Sequence, residues 1–255
     1  MLQEDRHQRI RALLATRGRA TSDAIALDLK VSRETVRRDV LALEARGELR
    51  RVHGGVMAIT PDAEPPLAVR AKVRLEEKTR IARSAVRLIS PGQTLLLDAG
   101  STMSVLAREL ATLSGLTIVT NSFEVATTIG SGVPRTNKVL VLGGELGETM
   151  PATFGAAAVS EVLRWQADIA LLSPVGIDAR YGATSFDVAE ADIARAMATA
   201  AKRVFILADH AKIGLTSRVG FCPVERIDTL IVDARAEGSA GLTALRSRIA
   251  TVVVA

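Results

Sequence analysis

Apolar positions near the start of the chain recur with the period of a helix. Val36, Val40 and Leu43 stand at i, i+4 and i+7, which is one stripe of an amphipathic helix. At about 100° per residue, Glu34, Thr35, Arg37 and Arg38 fall on the opposite, outward side. Ser32 is placed to cap this helix with Glu34 in its positive first turn, and Gly47 is placed to end it. Upstream, Ile10, Leu13 and Leu14 stripe a helix over residues 4–17, broken by Arg17-Gly18-Arg19. Thr21 or Ser22 caps a second one, in which Ile25, Ala26 and Leu29 face inward, and Lys30-Val31-Ser32 leaves only a tight turn before the third. Residues 48–52 then alternate and run into His53-Gly54-Gly55, the pattern of a small β-wing. Three short helices with a tight turn before the last predict a winged helix-turn-helix.

Beyond it the pattern changes. Residues 60–66, TPDAEPP, hold three prolines and two acids and predict a linker. Charged residues lead from there into an amphipathic helix beginning near Lys78 and running to about Ile89. Short continuous aliphatic runs follow at 94–98, 116–120, 139–142, 169–172, 204–208 and 229–232, with 252–254 a possible seventh. Such runs mark strands buried on both faces. Helical patterns at 103–111, 123–130, 156–164, 187–201 and 241–249 lie among them, so the rhythm predicts a mostly parallel α/β sheet covered by helices. The predicted domains are a head over residues 1–58, a linker over 59–75 and an α/β body over 76–255.

Composition refines this picture in three ways. Apolar residues make up 48% of the 255 and aromatic ones 3%, so aliphatic side chains must fill the core. The net charge of +5 is uneven: residues 1–57 carry 12 basic against 8 acidic side chains, leaving 21 against 20 elsewhere. A basic head on a nearly neutral body fits a polyanion partner, although a basic solvated face would count the same. A single cysteine, Cys222, rules out an internal disulfide, and His7, His53 and His210 are too scattered for a metal site. No cofactor or metal is expected. The charged start and the lack of a long apolar run predict a cytoplasmic protein with no membrane partner.

Candidate chemistry falls in two places. A helix that shows hydroxyls and guanidinium groups on its outer face suits a DNA major groove, where Arg pairs with guanine or phosphate and Thr touches a base edge. The DNA-binding candidates are Ser32, Arg33, Thr35, Arg37 and Arg38 on the helix, with Arg50, Arg51 and His53 on the wing. In the body, small polar residues collect after the strands, where parallel sheets place ligands. Asp98-Ala99-Gly100-Ser101-Thr102 opens a helix, as does Thr120-Asn121-Ser122, and Gly143-Gly144 follows the third run. Helix N-termini with hydroxyls and close-approach glycines suit a phosphate. Lys212 offers an ammonium to such an anion; Asp98 can take sugar hydroxyls or cap its own turn, and Glu190 is open between site and solvated helix face.

Residues 6–57 closely resemble the DeoR family of bacterial transcription regulators, through VSRETVRRDV, LEARGELRRVHGG and the spacing between them. The resemblance continues through EEKTRIA, LLLDAGSTMSVLARELA, VTNSFEVA, LGGEL and VFILADHAKIG, and so covers nearly the whole chain. It implies an effector domain similar in fold to ribose-5-phosphate isomerase and the CoA transferases, sensing a phosphorylated sugar. Asp98, Gly100, Ser101, Thr102, Thr120, Asn121, Ser122 and Lys212 match the ligand-loop pattern of the family. Ala211 and Ile213 stand where the family often has Ser and Phe, and Pro174 lies in a loop that varies among its members. The expected function is a repressor of a carbohydrate operon, released or engaged by a sugar phosphate. The alternative is a sugar-phosphate isomerase-like enzyme carrying a DNA-binding head. Because one winged helix reads one half-site, a homodimer or homotetramer is expected.

Overall fold

The computed structural model describes residues 3–17, 19–46, 48–52, 55–58, 66–132 and 136–255. The chain divides into two compact units, Met1–Val73 and Arg74–Ala255.

The first unit is built from α1 (Gln3–Arg17), β1 (Arg19–Thr21), α2 (Ser22–Leu29), α3 (Arg33–Ala45), β2 (Leu49–Val52), β3 (Gly55–Ala58) and the single turn α4 (Leu67–Arg70). Thr21 caps α2 by accepting from the Ala24 N–H, and Ser32 caps α3 by accepting from the Thr35 N–H. Between them Lys30 adopts the left-handed conformation, φ 53°, and its N–H returns to the last carbonyls of α2. The turn that aims α3 is therefore set by a residue other than glycine. Ile10, Leu14, Ile25, Leu29, Val36, Val40, Leu43, Leu49 and Val56 form the core of the unit, and the predicted stripes supply most of it. The wing is larger than expected, a three-stranded antiparallel sheet in the order β1-β3-β2. β1 lies in a segment that reads as a helix breaker. Gly55 opens β3 because a Cβ there would meet the Ala20 carbonyl oxygen at 2.4 Å.

The second unit opens with α5 (Leu75–Val86), continuing with β4 (Thr94–Leu97), α6 (Ser101–Leu110), β5 (Thr117–Thr120), α7 (Phe123–Gly130) and β6 (Lys138–Val141). Next come β7 (Glu145–Leu146), β8 (Thr153–Phe154), α8 (Gly155–Val162), β9 (Ala167–Leu172), β10 (Gly176–Asp178), β11 (Gly182–Ser185) and α9 (Val188–Ala200). It closes with β12 (Ala201–Ala208), β13 (Val219–Cys222), β14 (Thr229–Val232), α10 (Ala240–Arg246) and β15 (Thr251–Val254). Within the span predicted as a linker, residues 59–65 lie outside the described residues, Leu67–Arg70 is helical, and α5 is already under way at Leu75.

All seven predicted strands join one sheet in the order β15-β14-β12-β9-β4-β5-β6, and every pairing is parallel. Along β4, Leu95 and Leu97 enter a core with Ile81 and Ala85 of α5, Leu106 of α6 and Ile129 of α7. Leu96, equally buried, points to the other face, where α9 packs on β9 and β12. Two small antiparallel sheets, β10-β11-β13 and β7-β8, were not expected. All four residues of β11, GATS, are buried. Gly182 there has φ 70° and a Cβ would meet the Cys222 carbonyl oxygen at 2.2 Å, so only glycine lets these backbones meet. No described helix is long and apolar enough to cross a membrane.

Candidate functional sites: a DNA-reading helix and an anion crevice

On α3 the geometry sorts the candidate arginines. Val36 and Leu43 are fully buried, and Arg37 and Arg38 point out from the far side, exposed. Arg38 has no hydrogen-bond or ion-pair partner among the described residues, and the nearest carboxylate oxygen to Arg37 is Glu34 Oε2 at 3.8 Å. Both are open to a partner. Arg33 is not, since its Nε sits 2.7 Å from Asp23 Oδ1. Arg51 is similarly engaged, donating from its Nε to Glu44 Oε2 at 2.5 Å and from its backbone N–H to Oε1 at 3.2 Å, which ties the wing to α3. Ser32 Oγ serves the cap and lies 2.9 Å from Thr35 Oγ1. Arg50 lies on β2, and His53 lies outside the described residues. Arg37→Ala and Arg38→Ala are each expected to weaken operator binding with no loss of folded head. A base-reading arginine costs about 1–3 kcal/mol and relaxes specificity at one position, whereas a phosphate-binding one lowers the salt dependence. Titration of an operator fragment at several salt concentrations distinguishes the two, and unchanged affinity in both variants would show that another face meets DNA.

One residue of that helix faces inward with a charge. Asp39 lies on the apolar stripe, three residues after Val36 and four before Leu43, and is 1% exposed. Arg6 of α1 donates to it from Nε at 2.6 Å and from Nη2 at 3.0 Å, and His7 Nε2 lies 3.2 Å away. Burial alone would push the Asp39 carboxyl up, but the hydrogen bonds and charge of Arg6, with His7 behind them, hold it below the usual carboxylate range.

In the second unit the chain leaves β4 toward β5 and β6, then returns on the other side to β9, β12, β14 and β15. The reversal falls between β4 and β9, and in open parallel sheets ligands bind beyond the strand ends at that point. Here the structure brings Asp98–Thr102, Ser173-Pro174 and Lys212 together. Gly100, with φ 131°, precedes α6, and a Cβ there would meet nothing within 4 Å. Glycine is demanded by the backbone angle, and there is space where its Cβ would stand. The first N–H groups of α6 have no partners within the helix. Lys212 Nζ donates to Ser173 Oγ at 3.1 Å and to the Pro174 carbonyl at 2.5 Å, joining the ends of β12 and β9.

A second cation lies at the N-terminus of α6. Lys78 of α5 is 4% exposed and donates to Ser101 Oγ at 3.0 Å. The signal was present, because Lys78 stands at i−3, i−4 and i−7 from Ile81, Ala82 and Ala85 and so lies on an apolar stripe. Its bond to Ser101 sets a buried ammonium beside the positive end of α6. Two buried side-chain oxygens have no hydrogen-bond partner among the described residues, Thr102 Oγ1 and Asn121 Oδ1. Their strands, β4 and β5, are paired neighbours. Asn121 Nδ2 is spoken for by the Thr153 carbonyl, so its free oxygen asks for a donor such as a hydroxyl.

Other candidates have local duties. Thr120 Oγ1 accepts from the Ser122 N–H at 3.0 Å, and Ser122 Oγ caps α7. Asp98 Oδ1 accepts from the Ala99 N–H at 2.7 Å. Glu190, half-buried, accepts from Ser185 Oγ at 3.2 Å. Gly143 and Gly144 do not form a phosphate loop. The Gly143 N–H donates to the Glu161 carboxylate at 2.8 Å, a group that repels anions, and Gly144 lets the Phe154 carbonyl approach. Cys222 is buried, and burial pushes its thiol up to about 12.

A winged helix-turn-helix followed by a parallel, helix-covered α/β unit is the architecture of a ligand-sensing transcription regulator. Residues 6–62 match the DeoR-like helix-turn-helix domain and residues 73–234 the DeoR C terminal sensor domain. The chain belongs to the DeoR family. It is 30% identical to the Glycerol-3-phosphate regulon repressor of Escherichia coli over 92% of each chain. It is 33% identical to the HTH-type transcriptional repressor GlcR of Bacillus subtilis, covering 91% of this chain and 89% of that one. Among solved structures, a ribose 5-phosphate isomerase A from Methanocaldococcus jannaschii aligns over 54% of each chain at 18% identity and a TM-score of 0.40. That superposition is too partial to bear on activity.

Proposed function

We propose that this protein is a cytoplasmic transcriptional repressor whose grip on its operator is set by a phosphorylated sugar or polyol bound between the ends of β4, β5, β9 and β12. The observation that carries the reading is the buried Lys78 ammonium against Ser101 at the N-terminus of α6. A phosphate there accepts from the first N–H groups of α6, from Ser101 and Thr102, and from Lys78 and Lys212. The Asn121 oxygen and the Asp98 carboxylate face the rest of the ligand and accept from its hydroxyls. The route to the DNA head is short along the chain. α5 begins two residues after Val73, where the first unit ends, and its first turn carries Lys78. Operator half-sites demand a fixed spacing of two heads, so the working form is a homodimer or homotetramer. Regulation rather than isomerisation is the favoured activity because the relatives are named as regulators.

The experiment is a thermal-shift screen of pentose, hexose and polyol phosphates with the matching free sugars, followed by product analysis. Glycerol 3-phosphate belongs in the panel because one relative is named for that regulon. A ligand at 100 times its dissociation constant stabilises by about 2.7 kcal/mol. Stabilisation by a phosphate ester without its free sugar, and no turnover, is expected. Turnover of the bound ester would favour the isomerase, and indifference to every ester would remove the sensor.

A further inference from the structure

Neither cation of the crevice is aimed by its own segment alone. Lys212 rides on a three-residue turn, His210–Lys212, whose start is capped by Asp209 accepting from the Ala211 N–H at 3.1 Å. The other anchor of that turn comes from the next strand. Asp233, fully buried after β14, accepts from the His210 N–H at 2.6 Å. His210 Nδ1 lies 3.1 and 3.2 Å from its two oxygens, and the Arg235 N–H donates to Oδ1 at 3.1 Å. With three donors on one buried carboxylate, Asp233 serves the protein and not a ligand. Burial would raise its pKa, but the bonds from the His210 ring and N–H outweigh that and hold it below the usual carboxylate range.

Arg235, two residues on, serves the other cation. Its Nη1 lies 3.0 Å from Glu77 Oε1, and the Glu77 carboxylate is buried in the first turn of α5, beside Lys78. The same turn of α5 is held at its start by Arg74, whose Nε lies 3.7 Å from Asp209 Oδ1. The turns Ala234–Ala236 and His210–Lys212 pack against each other. One three-residue corner thus braces both arms of the anion site.

We propose that Asp233 and Arg235 are positioning residues that hold Lys212 and Lys78 in register for the phosphate group of the effector, without touching it. The inference rests on the sensor reading above. A brace of this kind has a signature that general stability lacks: its removal matters only while the cation it aims is present.

The test is a pair of double-mutant cycles on the full-length protein. Asp233→Asn is made alone and with Lys212→Ala, and Arg235→Gln alone and with Lys78→Gln. Affinity is read by calorimetry for glycerol 3-phosphate, for the best ester of the screen and for inorganic phosphate. Amide hydrogen exchange over residues 209–213 is read without ligand. Each single variant is expected to weaken ester binding by about tenfold, the size of a coupling within one hydrogen-bond network. That loss should fall below about twofold once the matching lysine is gone, and exchange in the 209–213 turn should speed up in Asp233→Asn. Equal losses with and without the lysine would mean diffuse destabilisation and overturn the proposal, as would unchanged affinity. Arg235→Gln changes an exposed side chain, so its cycle remains readable should Asp233→Asn fail to fold. If the wild-type protein binds none of the probes, the sensor reading itself falls and takes this inference with it. A bound wild type with additive cycles overturns only the brace.

Discussion

Replacing Lys78 with Gln is expected to cost the effector ten- to a hundredfold in affinity, about 1.5–3 kcal/mol for one charge-assisted hydrogen bond. Lys78 is buried and donates to Ser101 at the N-terminus of α6, so no solvent dipole replaces it when a phosphate arrives. Lys212→Ala should cost a similar amount, because its ammonium is held against Ser173 and Pro174 at the end of β9. Ser101→Ala should cost less, since it removes a neutral hydroxyl and leaves the backbone N–H groups. All three variants keep α3 and its arginines and should bind operator in the absence of ligand as the wild type does. Their deficit belongs to the response. By linkage, an effector that weakens DNA binding by some factor must itself bind more weakly to the DNA-bound protein by that same factor, typically about 5–150-fold. An operator titration with and without ester, run in both directions, checks each half of the cycle. A wild-type response in Lys78→Gln and Lys212→Ala would place the anion elsewhere.

Asp39→Ala is expected to destabilise the DNA-binding unit by about 2–3 kcal/mol while leaving effector binding by the second unit intact. The variant leaves Arg6 and His7 without the acceptor they converge on, and stranding buried donors costs more than the net value of the bonds lost. Asp39→Asn should fall between, keeping the shape and losing the charge. The pH dependence has a definite sign. The folded-state pKa of Asp39 lies below its ordinary value, so its stabilisation is present in full above about pH 4, the ordinary aspartate pKa. It is lost as pH falls from there through the lower folded-state value. Acid denaturation of the first unit followed by circular dichroism should therefore be steeper in the wild type than in Asp39→Ala. Coincident acid profiles would mean that the ion cluster adds nothing to the head.

These two lysine and aspartate sites show where sequence pattern stops being sufficient. The helical period carried the helix-turn-helix, and short continuous aliphatic runs alternating with helical patterns carried all seven strands of the parallel sheet and the helices between them, because each element buries its own local apolar residues. The pattern also brought out Arg37 and Arg38, since a residue opposite a buried stripe must face out. Lys78 and Asp39 stand on such stripes, and a charge there is a visible anomaly, but its partner is not. Arg6 lies 33 positions from Asp39 and Ser101 lies 23 from Lys78, and only packing brings them together. The strand order had the same character. Each run shows that it is a strand, while the reversal between β4 and β9, which makes one crevice from loops far apart in the chain, depends on which helices cover which face. That reversal brought Ser173 and Lys212 to the Asp98–Thr102 loop. β11 and Gly143-Gly144 mark the converse limit, since small residues signal close approach of something without saying whether it is ligand or backbone. In both cases the tertiary fold supplied backbone, with Cys222 against Gly182 and Phe154 against Gly144. Local stripes and caps thus determined the elements, and long-range packing decided which charges meet, because burial energy is read residue by residue whereas a hydrogen-bond partner must be carried in by another part of the chain.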